Sequence, residues 1–359
     1  MGTTQLDSRV ESLRGSLEAK GLDGYLLTDE KDIFYFINFE GGFRLLIPMD
    51  EEPVLYVTRV NYEAARESLK DVRIELASSG IDADEKLVRT LKELGLRRVG
   101  FDALKASTYI KLRRKLRGVK LEPMKELVWT LRKVKDEKEL ELMRRAGELT
   151  SIGMRRITDF IKVGMREYEL AAEVEYVMRR KGSGGVAFDT IIASGPRSAF
   201  PHGGCGDRRL REGEIVVVDI GAKYRGYCAD MTRTFILGRA SPKQREIYEA
   251  VMVARGEALN SLRAGVKASE VDGVARDVIR RRGYGEYFVH GLGHGVGLEV
   301  HEPPTLNERS EDILQAGNVI TIEPGIYIVG FGGVRIEDTV LVLEGGFEGL
   351  TEAPCVFEV

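Results

Sequence analysis

The chain is 359 residues long, 43% apolar and 31% charged, and its 54 Lys and Arg against 57 Asp and Glu leave a formal net charge of −3. That length predicts two domains, the apolar fraction supports a sizeable core, and so balanced a charge supplies no global field for nucleic acid or an anionic membrane. No run approaches the ~18 uncharged apolar residues that a membrane-spanning helix needs, and Met1 to Val10 holds no apolar signal core, so a cytoplasmic protein is expected.

The scarce residue types narrow the chemistry. There are four His, at 202, 290, 294 and 301, so any imidazole chemistry is concentrated in the last three and whatever His202 joins. Cys205, Cys228 and Cys355 are odd in number and widely spaced, with no CxxC pair, which fits reduced thiols rather than a zinc or redox site. Few Gln and Asn beside so many charged residues is the balance of a thermophilic protein, in which heat-labile amides are depleted and surface ion pairs enriched.

In chain order, Leu6 to Leu17 carries apolar residues at helical spacing, and Tyr25 to Thr28, Phe43 to Met49 and Pro53 to Thr58 read as strands. Helical patterns follow near Tyr62 to Leu69, Asp84 to Leu94 and Ala106 to Leu116, separated by strand-like Val72 to Ala77 and Arg98 to Asp102. This alternation predicts a compact α/β domain. The basic run Lys111 to Arg117 puts Leu112 and Leu116 on one helical face, so its charges read as a solvated surface. A charge-rich helical stretch spans about Glu126 to Ile161, with Glu and Lys spaced for i to i+4 pairs. The domain boundary is placed just before it, giving domains 1–127 and 128–359. In the second, helices are expected at 167–182, 242–263 and 268–283, with Pro242 at a helix start. Strands are expected at Thr190 to Ala193, Glu214 to Ala222, Tyr227 to Leu237, Asn318 to Val329 and Gly333 to Leu343. Helices and paired strands in separate runs predict an α+β domain.

A weak internal repeat stands out there. Val216 to Ala222 is an apolar strand bearing Asp219, followed by a turn and a returning strand bearing Asp230; Val319 to Tyr327 bears Glu323, followed by a Gly-rich span and a strand bearing Glu337. With a two-residue loop at Tyr224 and Arg225, paired residues sum to 449, which opposes Asp219 and Asp230. With a three-residue loop centred on Gly330, pairs sum to 660, which opposes Glu323 and Glu337. An acid on a strand ordinarily faces water, but like charges opposed at ~4.5–5.5 Å between Cβ atoms repel. In strands this apolar, the acids need a positive partner, and four carboxylates with a nearby His make a dinuclear metal site.

His290 to His301 has glycines at 291, 293, 295 and 297, which remove side chains and allow close backbone approach. It lacks the spacing of a dinucleotide fingerprint, and no HExxH occurs. His294, set among these glycines, is the better ligand candidate.

The order Asp219, Asp230, His294, Glu323, Glu337 resembles the pita-bread metallopeptidases, closely the prolidase (Xaa-Pro dipeptidase) and aminopeptidase P branch. Phe188 to Gly195, Arg197 to Gly203, His290 to Gly297, Glu323 to Tyr327 and Arg335 to Asp338 carry the same resemblance, which covers nearly the whole chain. It implies an α/β N-terminal creatinase-like domain and an α+β pita-bread catalytic domain. It implies that Asp219, Asp230, His294, Glu323 and Glu337 bind two divalent metal ions per subunit, with Asp230 and Glu337 bridging. It also implies that His202 and His301 contact the substrate carbonyl and help move protons, that Glu323 takes the proton of the attacking water, and that His290 and Arg335 line the substrate pocket. The expected reaction is hydrolysis of the bond preceding proline in Xaa-Pro dipeptides or short peptides, through a metal-bridged hydroxide. An oxygen-rich set with one imidazole favours manganese or cobalt ahead of zinc. A homodimer is implied, and no nucleic acid or membrane partner is expected.

Short prolidases of this kind often carry an arginine just after the His-Glu pair, suited to a dipeptide's free carboxylate, whereas here Pro303, Pro304 and Thr305 follow Glu302. Aminopeptidase P, acting on longer Xaa-Pro peptides, is therefore the alternative enzyme. A non-catalytic peptide-binding relative of the same fold is the alternative from another class, and the full ligand set speaks against it.

Overall fold

The structure is a computed structural model describing residues 5–359; the first four residues of the Met1 to Val10 stretch lie outside the described residues. The chain divides into two compact units, Met1–Arg132 and Lys133–Val359.

The first unit runs α1 (Gln5–Lys20), β1 (Gly24–Leu27), α2 (Glu30–Ile37), β2 (Gly42–Pro48), β3 (Val54–Val57), α3 (Arg59–Ser68), β4 (Arg73–Leu76), α4 (Gly80–Glu93), β5 (Arg98–Phe101), α5 (Ala106–Lys115), β6 (Lys120–Pro123) and into α6 (Lys125–Lys133). Its sheet has the order β4-β3-β2-β1-β5-β6. The pairs β1/β5, β5/β6 and β3/β4 are parallel, and β2 is antiparallel to both neighbours. The α/β expectation holds, and the Lys111 to Arg117 charges are exposed around buried Leu112 and Leu116. Two elements carry too little pattern to be read in advance. Helix α2 is a single short stretch whose second half, Ile33 to Ile37, is nearly all apolar, so it shows no periodicity; Asp29 caps it by accepting from the N–H groups of Lys31 and Asp32. Strand β6 buries only Leu121.

In the second unit the expected long helix is interrupted. After Val134 to Asp136 it restarts as α7 (Glu137–Phe160), where Asp136 and Glu139 form a reciprocal capping box that fixes the helix start. Then come α8 (Glu167–Arg180), β7 (Gly185–Val186), β8 (Ile191–Ser194), β9 (Ile215–Ile220), β10 (Ala222–Tyr224), β11 (Tyr227–Cys228), β12 (Met231–Ile236), α9 (Pro242–Ser261) and α10 (Ala268–Arg281). The chain ends with β13 (Gly293–Gly295), β14 (Glu302–Leu306), β15 (Val319–Ile322), β16 (Gly325–Ile328), β17 (Gly332–Arg335), β18 (Asp338–Leu343) and β19 (Gly346–Gly349). One core packs α7 and α8 against β8, β9 and β12, and a second packs α9 and α10 against β15 to β18. The two acid-bearing hairpins are thus each backed by a helix pair.

The register of the second hairpin is as expected: Gly325 opposes Arg335 and Ile322 opposes Asp338, both pairs summing to 660, and Gly330 sits in the turn at φ 85°. The first hairpin differs. Tyr224 opposes Tyr227 and Asp219 opposes Thr232, so pairs sum to 451 and Asp219 does not face Asp230 directly. The loop is Arg225 and Gly226, both at positive φ, the backbone of a type I′ turn that glycine in the second place favours. Because side chains alternate with period two, a shift of two leaves Asp230 on the same face as Asp219, one step diagonal.

Candidate metal centre

Each long strand expected to carry an acid is broken beside it. Asp230 falls between β11 and β12, Glu323 between β15 and β16, and Glu337 between β17 and β18, while Asp219 lies near the end of β9. At each break the main chain leaves the ladder and its donor is taken elsewhere. Asp230 N–H donates to Thr339 Oγ1 (3.1 Å), Glu323 N–H to Leu292 O (2.8 Å) and Glu337 N–H to Thr232 O (3.0 Å). Pro324 has no N–H to continue a ladder, which explains the break after Glu323.

The histidine segment is placed by its glycines. A Cβ at Gly293 or Gly295 would collide with the carbonyl oxygens of Thr321 and Pro303, so the expected close backbone approach is present. It seats β13 between β14 and β15 and brings His294 Nε2 to 3.4 Å from Glu323 Oε1 and 3.8 Å from Asp230 Oδ2. His294 Nδ1 donates to Gly295 O at 3.1 Å, which fixes the tautomer and leaves the Nε2 lone pair toward the acids. Burial, reinforced by His301 alongside, lowers the His294 pKa to about 3, so the ring is neutral and able to ligate.

All nine candidate residues, His202, Asp219, Asp230, His290, His294, His301, Glu323, Arg335 and Glu337, line one cavity of about 690 Å³. Ligand atoms of Asp230, His294 and Glu337 lie within 4.8 Å of one another. Burial, with repulsion from neighbouring carboxylates, holds Asp230 and Glu337 well above the ordinary carboxylate range, and burial pushes Glu323 up to about 8. Asp219 Oδ1, Asp230 Oδ1 and Glu337 Oε1 are buried without a hydrogen-bond partner. Buried oxygens of this kind are costly unless something positive faces them, so the donor set fits divalent cations.

Around the acids a polar frame is complete. Arg335 donates through Nη2 to Asp219 Oδ2 (2.6 Å), through Nε to Thr232 Oγ1 (3.1 Å), and through Nη1 to Tyr327 Oη (2.9 Å) and Pro201 O (3.2 Å). Thr232 Oγ1 in turn donates to Glu337 Oε2 at 2.6 Å. His290 contacts Tyr327 Oη through Nε2 (2.9 Å) and Gly291 O through Nδ1 (2.8 Å); burial lowers its pKa to about 4, so Nδ1 donates and Nε2 accepts. His290 is thereby committed to the wall. Arg335, expected as a pocket residue, also binds the Asp219 carboxylate. Sequence reasoning assigned no part to Thr232 or Tyr327; the correct register of the first hairpin would have pointed to Thr232 as the residue opposite Asp219.

Fold and site together define a two-part metallopeptidase. Residues 141–344 match Metallopeptidase family M24 and residues 9–134 match the Creatinase/Prolidase N-terminal domain, and the chain belongs to this metallopeptidase family, with its pita-bread fold. It is 38% identical to an Xaa-Pro dipeptidase of Pyrococcus furiosus over 97% of this chain and 98% of that protein. Among solved structures, an Xaa-Pro dipeptidase from Bacillus anthracis superposes with a TM-score of 0.94 at 37% identity, covering 99% of this chain and 100% of the other. An X-Pro aminopeptidase from Thermotoga maritima superposes with a TM-score of 0.86 at 37% identity, covering 94% and 98%.

Proposed function

We propose that this chain hydrolyses the peptide bond preceding proline in Xaa-Pro dipeptides or short peptides. Asp219, Asp230, His294, Glu323 and Glu337 would hold two divalent cations, manganese or cobalt ahead of zinc. The observation that carries this is the set of partnerless buried oxygens on Asp219, Asp230 and Glu337 beside a neutral imidazole, in a cavity with three further histidines. Cations so held supply the Lewis acidity that polarises the scissile carbonyl and lowers the pKa of the attacking water. Glu323 takes the proton of that water. His202 and His301 offer N–H groups to the substrate carbonyl and to the charge that develops on it; loss of water around His301 lowers its pKa and keeps it a neutral donor. The departing proline nitrogen belongs to a tertiary amide with no N–H, so the wall formed by Phe188, Ile191, Pro201 and Val289 needs only to accept a ring there.

A preference for peptides longer than two residues is favoured by one observation. Among the described residues, Arg335 is the only lysine or arginine lining the cavity, and its guanidinium is committed to Asp219, Thr232, Tyr327 and Pro201. Among the described residues, no cationic side chain in the lining is left to receive the free carboxylate of a dipeptide. The deciding assay crosses Mn, Co and Zn with Ala-Pro and Ala-Pro-Ala. Activity that survives exhaustive chelation overturns the metal-dependent proposal, and a higher kcat/KM for Ala-Pro overturns the preference. The working species is taken to be a cytoplasmic homodimer, which sedimentation velocity tests. Among the described residues, no helix is long and apolar enough to cross a membrane.

A further inference from the structure

We infer that Glu167 is a positioning residue for His202, acting through the loop that carries it; this rests on the role proposed above for His202. Glu167 opens α8 and has no exposed surface. Its Oε1 accepts from the backbone N–H of Ser194 (2.9 Å) and from the Ser194 hydroxyl (2.7 Å). Its Oε2 accepts from Gly206 N–H (2.9 Å) and faces Arg197 Nε at 3.4 Å. Ser194 ends β8, Gly206 closes the loop, and between them lie the helical turn Gly195–Ala199 and then Pro201 and His202. One buried carboxylate thus grips both feet of the arch that presents His202 to the cavity.

The main chain of α8 repeats the grip: Glu167 N–H donates to Arg208 O (3.0 Å) and Tyr168 N–H to Gly206 O (3.2 Å). From the opposite side, Gly333 N–H donates to Ser198 Oγ (3.0 Å) and Arg335 Nη1 to Pro201 O (3.2 Å). The His202 imidazole is itself exposed, and no described residue hydrogen-bonds it, so its aim depends on the arch. The residue type follows from the same inventory. Three donors and no acceptor hydrogen-bond Glu167, and the Arg197 guanidinium faces it as a charge, so a carboxylate, acceptor-only on both oxygens, suits the position. Glutamine has the same shape but turns an NH2 group toward one of the two backbone N–H groups.

The test is a double-mutant cycle on the full chain loaded with divalent cation, using Ala-Pro-Ala as substrate. Glu167→Gln is expected to lower kcat/KM by about tenfold with bound metal per chain unchanged. In a His202→Asn background the same substitution is expected to cost nothing further. Should Glu167→Gln fold poorly, Ser194→Ala, which removes one of the three hydrogen-bond donors, carries the same cycle with a smaller loss. Equal losses in both backgrounds, or no loss in the parent, overturn the inference. His202→Asn is measured first; if it is as active as the parent, the role proposed for His202 falls, and that failure is told apart from a failure of the grip.

Discussion

Asp230, Glu323 and Glu337 share a local device. Each sits where a strand is interrupted, its N–H bonded outside the ladder, so its side chain can turn into the cavity while the flanking apolar residues stay in a core. Glu323→Ala removes a proposed cation ligand and the proposed proton acceptor together, and a loss of about 10³-fold or more in kcat is expected, with less metal bound per chain. A variant cleaving at the parental rate would show that Glu323 does no chemistry. In metal-free protein Glu323 lies at about 8, against an ordinary 4.5, and Asp230 and Glu337 are raised as well. Those acids keep protons in the folded state that the unfolded chain releases from about 4.5 upward, while His290 and His294, lowered to about 4 and about 3, give up protons that the unfolded chain holds up to about 6.5. The two effects offset one another below about 6.5, so stability falls as pH rises from about 6.5 to about 8. Urea midpoints of chelator-treated protein are expected to drop over that range, and cations, which replace the protons, are expected to flatten the profile. A chelated protein more stable at pH 8 than at pH 6.5 would reverse the sign.

At the scale of the element, the two hairpins show what turn chemistry makes legible. Gly330 at φ 85° sets the second turn, and the register it fixes holds on both sides of the break at which Glu323 and Glu337 leave the ladder. Gly330→Val forces a β-branched side chain into that conformation and is expected to cost about 1 kcal/mol or more in chemical denaturation, with bound metal retained once folded. In the first hairpin the positive φ at Arg225 is not announced by its residue type, so the loop is easily placed one residue early. The alternation of side chains preserved the face of both acids, but hid Thr232, the residue that joins Arg335 to Glu337. Helix α2 and strand β6 escaped for a different reason: elements this short, with a uniform or a single apolar position, carry no period.

For the whole molecule, few amides and abundant ion pairs such as Arg144 with Glu348 and Arg208 with Glu214 lead to an expected melting midpoint above about 65 °C, the upper end of the mesophilic range. Chelation is expected to lower that midpoint by about 5–10 °C, as loss of a ligand present at a hundredfold its Kd costs about 2.7 kcal/mol. A midpoint near 50 °C, or one indifferent to chelation, would contradict the respective expectation; calorimetry reads both. Composition, periodicity and the spacing of glycines and acids determined the α/β and α+β units, the concentration of imidazole and the two acid-bearing hairpins, because these are properties of consecutive residues. Tertiary structure alone decided which carboxylate oxygens are left without a partner, that Arg335 is committed to Asp219, and that Glu167 holds the loop of His202. Those contacts join residues far apart in the chain, and no local pattern records where folding will bring them together.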